Sequence, residues 1–219
     1  MKNPKIIWFH VLLDGFFSFI LLLCSCILLI SIVVERLYLF YQSIMNPASA
    51  SASASLKKYP VQAVAVFQGK KIKGTVTFTE DPTQDQVYID IDITGLKKNA
   101  LHGFHVHESG DLTQQCESLC AHFNPYNKTH GCPGMKQRHV GDLGNLQTDK
   151  HGCAKYRITD DVIKLTGTKA NILGRGLIIH ADPDDCGQGG NDASLKNGNA
   201  GKRIACAIIG YSKHNFGCP

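Results

Sequence analysis

The chain has 219 residues, 43% of them hydrophobic and 19% charged, and a formal charge of +5 with its histidines neutral. That length holds one ordinary domain and a tail. The cationic excess is mild and dispersed rather than clustered, which argues against nucleic acid as a partner and suits attraction of a small anion.

In chain order, the first feature is an uncharged run from Gly15 to Val34, rich in Leu, Ile and Phe and about as long as a helix that crosses hydrocarbon. Lys2 and Lys5 precede it, whereas Glu35 and Arg36 cancel behind it. The positive-inside rule then leaves the N-terminus cytoplasmic and the bulk of the protein on the lumenal or extracellular side. Residues 1–45 are read as a membrane anchor on this basis. Two alternatives stay open: a cleaved signal peptide, with the small residues at 48–54 as its cleavage region, and translation from Met45, which would leave a cytosolic protein. Residues 46–58 form an Ala/Ser-rich linker with no apolar face to bury. The folded domain is expected over 59–219.

Within it, Val87, Ile89, Ile91 and Ile93 alternate with Tyr88, Asp90, Asp92 and Thr94, the period of two that marks a strand with one buried face. Val64 and Val66, then Val76 and Phe78, repeat the pattern. Gly69 and Gly95 fall between these runs, where tight turns call for φ values that only glycine adopts cheaply. Further strands are expected at 101–107, 153–159, 176–181 and 203–210, with no sustained helical periodicity. The expected fold is all-β, an antiparallel barrel or sandwich. Two stretches, 109–138 and 182–202, fit neither strands nor short turns, and loops of such length are functional in most compact domains.

Of nine cysteines, Cys24 and Cys26 lie in the apolar run. No CxxC pair occurs, so disulfides or scattered thiols fit better than a four-cysteine zinc site. Several bridges would agree with an oxidising compartment. The sequence Asn127-Lys128-Thr129 is a glycosylation acceptor in an expected loop.

The segment GFHVHE at 103–108 places His105 and His107 two apart on an expected strand, so both side chains point the same way and can grip one ion. Alone, this pair is commonly coincidental. It gains weight because His122, His130 and His139 follow, with Asp142 three residues beyond and His180 ending another strand.

Together with AHFNP at 121–125, RHVGDLGN at 138–145, GRGLIIHADPDD at 174–185 and GNAGKRIACAIIG at 198–210, this series resembles the Cu/Zn superoxide dismutases over about 59–212. The resemblance implies an eight-stranded antiparallel Greek-key β-barrel. It implies that His105, His107, His122 and His180 hold one copper cation per subunit, while His122, His130, His139 and Asp142 hold one zinc cation. His122 would be shared as a bridging imidazolate. Imidazole donors suit both ions, and a single carboxylate fits a closed tetrahedral zinc site. Asp184 matches the carboxylate that joins a copper histidine, His105, to a zinc histidine, His130.

By the same resemblance, Arg203 orients the anion beside copper, Lys196 helps to guide it, and His122 supplies a proton. His102 matches a structural histidine without a metal. Cys116 and Cys206 match the family's internal disulfide. Cys120, Cys132, Cys153, Cys186 and Cys218 have no counterpart, and a bridge from Cys132 to Cys186 across the two long loops is an open alternative. Ala193 stands where the family often has an acid, and Ser109 replaces a bulky residue that commonly packs at the dimer interface.

The implied activity is that of an oxidoreductase in antioxidant defence. It would convert superoxide to dioxygen and hydrogen peroxide by Cu(II)/Cu(I) cycling, with homodimerisation and a copper chaperone as further expectations. The alternative on the same fold is a non-catalytic copper/zinc carrier.

Overall fold

Alternating burial organises the strands. In the computed structural model, which describes residues 31–38, 41, 60–81 and 83–218, β3 (Val87–Thr94) turns Val87, Ile89, Ile91 and Ile93 inward, all nearly or fully buried. Each such side chain stabilises by about 1.5–3 kcal/mol on burial. β2 (Lys73–Glu80) contributes Val76 and Phe78 to the same layer.

In β1 (Val61–Gln68) the phase is the reverse of that expected. Ala63, Ala65 and Phe67 face inward, while Val66 is exposed. Pairing explains it: Ala63 lies opposite Phe78 and Ala65 opposite Val76, and cross-strand partners share a face, so small residues meet large ones. Gly95 has the expected positive φ of 85°. Gly69 does not, but a Cβ there would lie 3.0 Å from the Ile72 carbonyl oxygen.

The remaining strands are β4 (Leu101–His107), β5 (Asp142–Gln147), β6 (Ala154–Asp160), β7 (Gly176–His180), β8 (Arg203–Ile208) and the two-residue β9 (Gly210–Tyr211). One sheet runs β6-β3-β2-β1-β9 and the other β5-β4-β7-β8, with antiparallel pairing throughout. The pairings β3–β6 and β4–β7 skip along the chain in the Greek-key manner, and the core fills the space between the sheets. β9 takes up the chain after β8 and closes onto β1.

The two long loops are not wholly irregular. The first contains a 3₁₀ turn, Glu117–Leu119, and the second a single helical turn, Ser194–Asn197.

The chain divides into two units, Met1–Ser55 and Leu56–Pro219. In the first, residues 31–38 are helical; most of the apolar run and the 46–58 linker lie outside the described residues. Among the described residues no helix is long and apolar enough to cross a membrane.

Candidate metal centre

β4, which lies between β5 and β7 in its sheet, is buried on both faces from His102 onward. Phe104 and Val106 enter the core, and His105 and His107 point to the opposite side, which the long loops cover. A bulge between Gly103 and His105 shifts the register against β5 and sets His105 directly opposite Asp142. The loop segment around His122 pairs with the end of β4: His107 and His122 form an isolated antiparallel bridge, and the Phe123 amide donates 2.9 Å to the Val106 carbonyl. His180 arrives at the end of β7, which is hydrogen-bonded to β4.

These placements gather two groups. His105, His107, His122 and His180 are all buried, and one nitrogen of each lies within 4.8 Å of the others. His122, His130, His139 and Asp142 form the second, also buried. Ring centroids of His105 and His122 are 4.1 Å apart, and those of His122 and His130 are 5.3 Å apart, so His122 stands between the groups.

Hydrogen bonds fix which nitrogen each ring presents. His107 Nδ1–H donates 2.9 Å to the Cys120 carbonyl and His180 Nδ1–H donates 3.1 Å to the Gly201 carbonyl, leaving both Nε2 atoms free. His105 Nε2–H and His130 Nε2–H each donate 2.8 Å to Asp184, one to each carboxylate oxygen, leaving the Nδ1 atoms free. The free atoms His105 Nδ1, His107 Nε2, His122 Nε2, His130 Nδ1 and His180 Nε2 are buried with no hydrogen-bond partner. Each would cost about 1–3 kcal/mol as an ordinary polar group. Their convergence therefore fits lone pairs aimed at a cation.

In the second group, Nδ1 of His122, His130 and His139 lies 2.9, 3.0 and 3.1 Å from one oxygen of Asp142. A tetrahedron with zinc–ligand bonds of about 2.0 Å has edges of about 3.3 Å, so this packing suits a small tetrahedral ion. Asp142 is itself fixed, since its other oxygen accepts from the amides of Gly131 at 3.1 Å and His139 at 2.8 Å.

Electrostatics differ between the groups. Burial, reinforced by neighbouring histidines, pushes His105 down to about 3, His107 to about 2 and His180 to about 4, all neutral ligands at pH 7. Burial acts the same way on His130, but the carboxylates of Asp142 and Asp184 override it and raise this ring to about 9. Burial would raise Asp142, yet the three imidazole rings of His122, His130 and His139 set against it hold it far below the usual carboxylate range. Asp184 is lowered in the same manner by His105 and His130.

The histidine group opens on a cavity of about 420 Å³ lined by His107, His122, His180, Lys196, Arg203 and neighbouring loop residues. Arg203 is held by carbonyls: Nη1 donates to Cys116 at 2.6 Å and Nη2 to Cys120 at 2.5 Å. Cys116 and Cys206 form a disulfide that ties the first long loop to β8.

The copper/zinc superoxide dismutase profile matches residues 72–209. The chain belongs to the copper/zinc superoxide dismutase family. It is 55% identical over 180 residues to the superoxide dismutase [Cu-Zn] of Paramecium bursaria Chlorella virus 1, covering 82% of this chain and 94% of the relative. It is 50% identical over 153 residues to that of Candida glabrata, covering 69% of this chain and 99% of the relative. A crystal structure described as that of the clock protein EA4 superposes with a TM-score of 0.67 at 42% identity, covering 70% of this chain and 96% of that one. The two clusters described above fit the family's copper and zinc.

The ligand residues of both clusters, Asp184, Lys196 and Arg203 lie in or against this centre, whereas the Cys116–Cys206 bridge lies outside both clusters, as does His102, whose Nδ1–H donates 2.8 Å to the His180 carbonyl. Sequence reading assigned no role to Asn145. Its side chain donates to the Asp184 carbonyl at 2.9 Å and accepts from the Asp184 amide at 2.8 Å, holding that carboxylate in place. Its position in RHVGDLGN, three residues after a ligand, was the only clue. Cys132 and Cys186 are joined in a second disulfide, whereas Cys120, Cys153 and Cys218 are free thiols.

Proposed function

We propose that this chain is a superoxide dismutase that converts two superoxide anions and two protons to dioxygen and hydrogen peroxide. The observation that carries this is the shared ring of His122 between a four-histidine group and a closed His₃Asp group, opening on a cavity walled by Arg203 and Lys196. His105, His107, His122 and His180 would hold copper and His122, His130, His139 and Asp142 zinc; copper bound there would supply the one-electron couple that the dismutation of superoxide needs.

The protein's own residues do the rest. Arg203, fixed by backbone carbonyls, presents a planar cationic fork to the anion and orients it. Lys196 adds positive charge at the cavity wall and draws the anion inward. His122 Nε2, buried at the cavity, is the atom placed to carry a proton to the departing peroxide. Asp184 keeps His105 and His130 turned so that their Nδ1 atoms face the ions. A carrier on this fold would not need a fixed arginine beside open histidine nitrogens, so the dismutase reading is favoured.

The test is dismutation by the purified chain with both metals bound. Activity should vanish when copper is chelated and return on its replacement; activity that survives complete copper removal would exclude this function.

From the uncharged run at 15–34 and the charges that flank it, we further propose that the domain, residues 59–219, lies beyond a membrane to which that run attaches it, and that it takes a second copy of itself and a copper-donating chaperone as partners. Asn127 supports the lumenal side, because its sequon lies on an exposed loop. A glycosidase-sensitive mass shift of the natural protein is expected, and a natural N-terminus at Met45 would refute the placement.

A further inference from the structure

The two long loops meet at the Cys132–Cys186 disulfide, which is separate from the bridge to β8. Cys132 stands two residues after His130, and Cys186 two residues after Asp184. The covalent link therefore runs alongside the His130–Asp184 hydrogen bond and brackets it on both loop segments.

The contact is closer than the spacing alone requires. The Cys186 amide donates 2.7 Å to Asp184 Oδ1, the same oxygen that receives His130 Nε2–H. Cys186 holds a φ of 60°, a left-handed backbone that a residue with a Cβ adopts only under constraint, and Gly187 follows at 75°. A Cβ on Gly187 would lie 2.7 Å from the His130 carbonyl oxygen, so the two backbones are pressed together here. The cysteines are 54 residues apart in sequence, and the bridge turns the meeting of their loops from a long-range encounter into a local one.

We propose that the Cys132–Cys186 bridge is a positioning link for metal retention: it keeps the Asp184 carboxylate seated on His130 and His105, and so slows the loss of both ions. The proposal rests on the assignment of the two clusters as copper and zinc sites. An ion leaves when its histidines turn away, and the carboxylate that forbids this turning is the one the bridge holds. Loss of such an outer partner typically weakens a metal site by about 10- to 100-fold.

The experiment uses the full chain loaded with both metals and follows release of zinc and copper to an excess of chromophoric chelator. Four proteins are compared: the parent, Cys132→Ser/Cys186→Ser, Asp184→Asn, and the triple variant. Cys132→Ala/Cys186→Ala replaces the serine pair if that pair fails to reach the parent's circular dichroism spectrum. Opening the bridge should speed zinc release about tenfold or more, whereas in the Asp184→Asn background it should change the rate less than about twofold. Release at the parent rate from the double variant overturns the proposal. So does an equal acceleration in both backgrounds, which would make the bridge a general brace. A parent chain that takes up neither ion would instead overturn the functional assignment and the link with it.

Discussion

Arg203 carries its charge into the cavity wall, where its guanidinium donates to the carbonyl oxygens of Cys116, Glu117 and Cys120. Among the described residues it makes no ion pair with a carboxylate, so its field is not cancelled locally. Arg203→Glu should therefore slow turnover about tenfold or more and flatten its fall with ionic strength. Stopped-flow rates at low and high salt measure this, and a parent-like salt profile would remove Arg203 from the guiding role. At this scale the sequence was informative wherever a side chain does the chemistry, as with His105 and His107 on one strand face. It was silent on the Cys120 and Gly201 carbonyls that set the tautomers of His107 and His180, because every residue carries a carbonyl and only folding decides where it points.

Elements read well where one face is wet. β3 showed its alternation openly, but β5 did not, because Asp142, Leu143 and Gly144 are buried in succession beneath the loops and no period of two survives. The first long loop is anchored by a contact that no spacing announced. Arg138 Nη2 donates 2.5 Å to Asp160 Oδ2 at the end of β6, with both side chains almost fully buried. The other oxygen of Asp160 accepts from the amides of Val162 and Ile163. Arg138→Ala would leave a buried carboxylate without its cation and should destabilise the domain by about 3–5 kcal/mol. Urea denaturation of the metal-free domain measures it, and a loss below about 1 kcal/mol would show that the pair does not brace the loop.

For the whole domain, the histidine cluster ties stability to acidity. His105, His107 and His180 sit at about 3, 2 and 4, and His122 is also lowered by burial, whereas an ordinary histidine titrates near 6.5. Each takes up a proton on unfolding once the pH drops below 6.5, so each lowers stability by up to about 1.4 kcal/mol per pH unit in that range. His130, raised to about 9, acts in the opposite sense: its contribution is complete below 6.5 and fades as pH climbs through 9. Four groups outweigh one. The urea midpoint of the metal-free domain should fall between pH 7 and pH 5, and a flat or rising midpoint would contradict the buried, neutral state of these rings. The bulge before His105 has a consequence of another kind. Because it seats His105 of the four-histidine group opposite Asp142 of the second group on one rung of the ladder, the spacing of these two residues is ruled by the hydrogen-bond lattice of the sheet. The exposed stretch at 126–129 can then change in length without shifting His105 against Asp142, which leaves access and guidance free to vary while this rung keeps one fixed gauge.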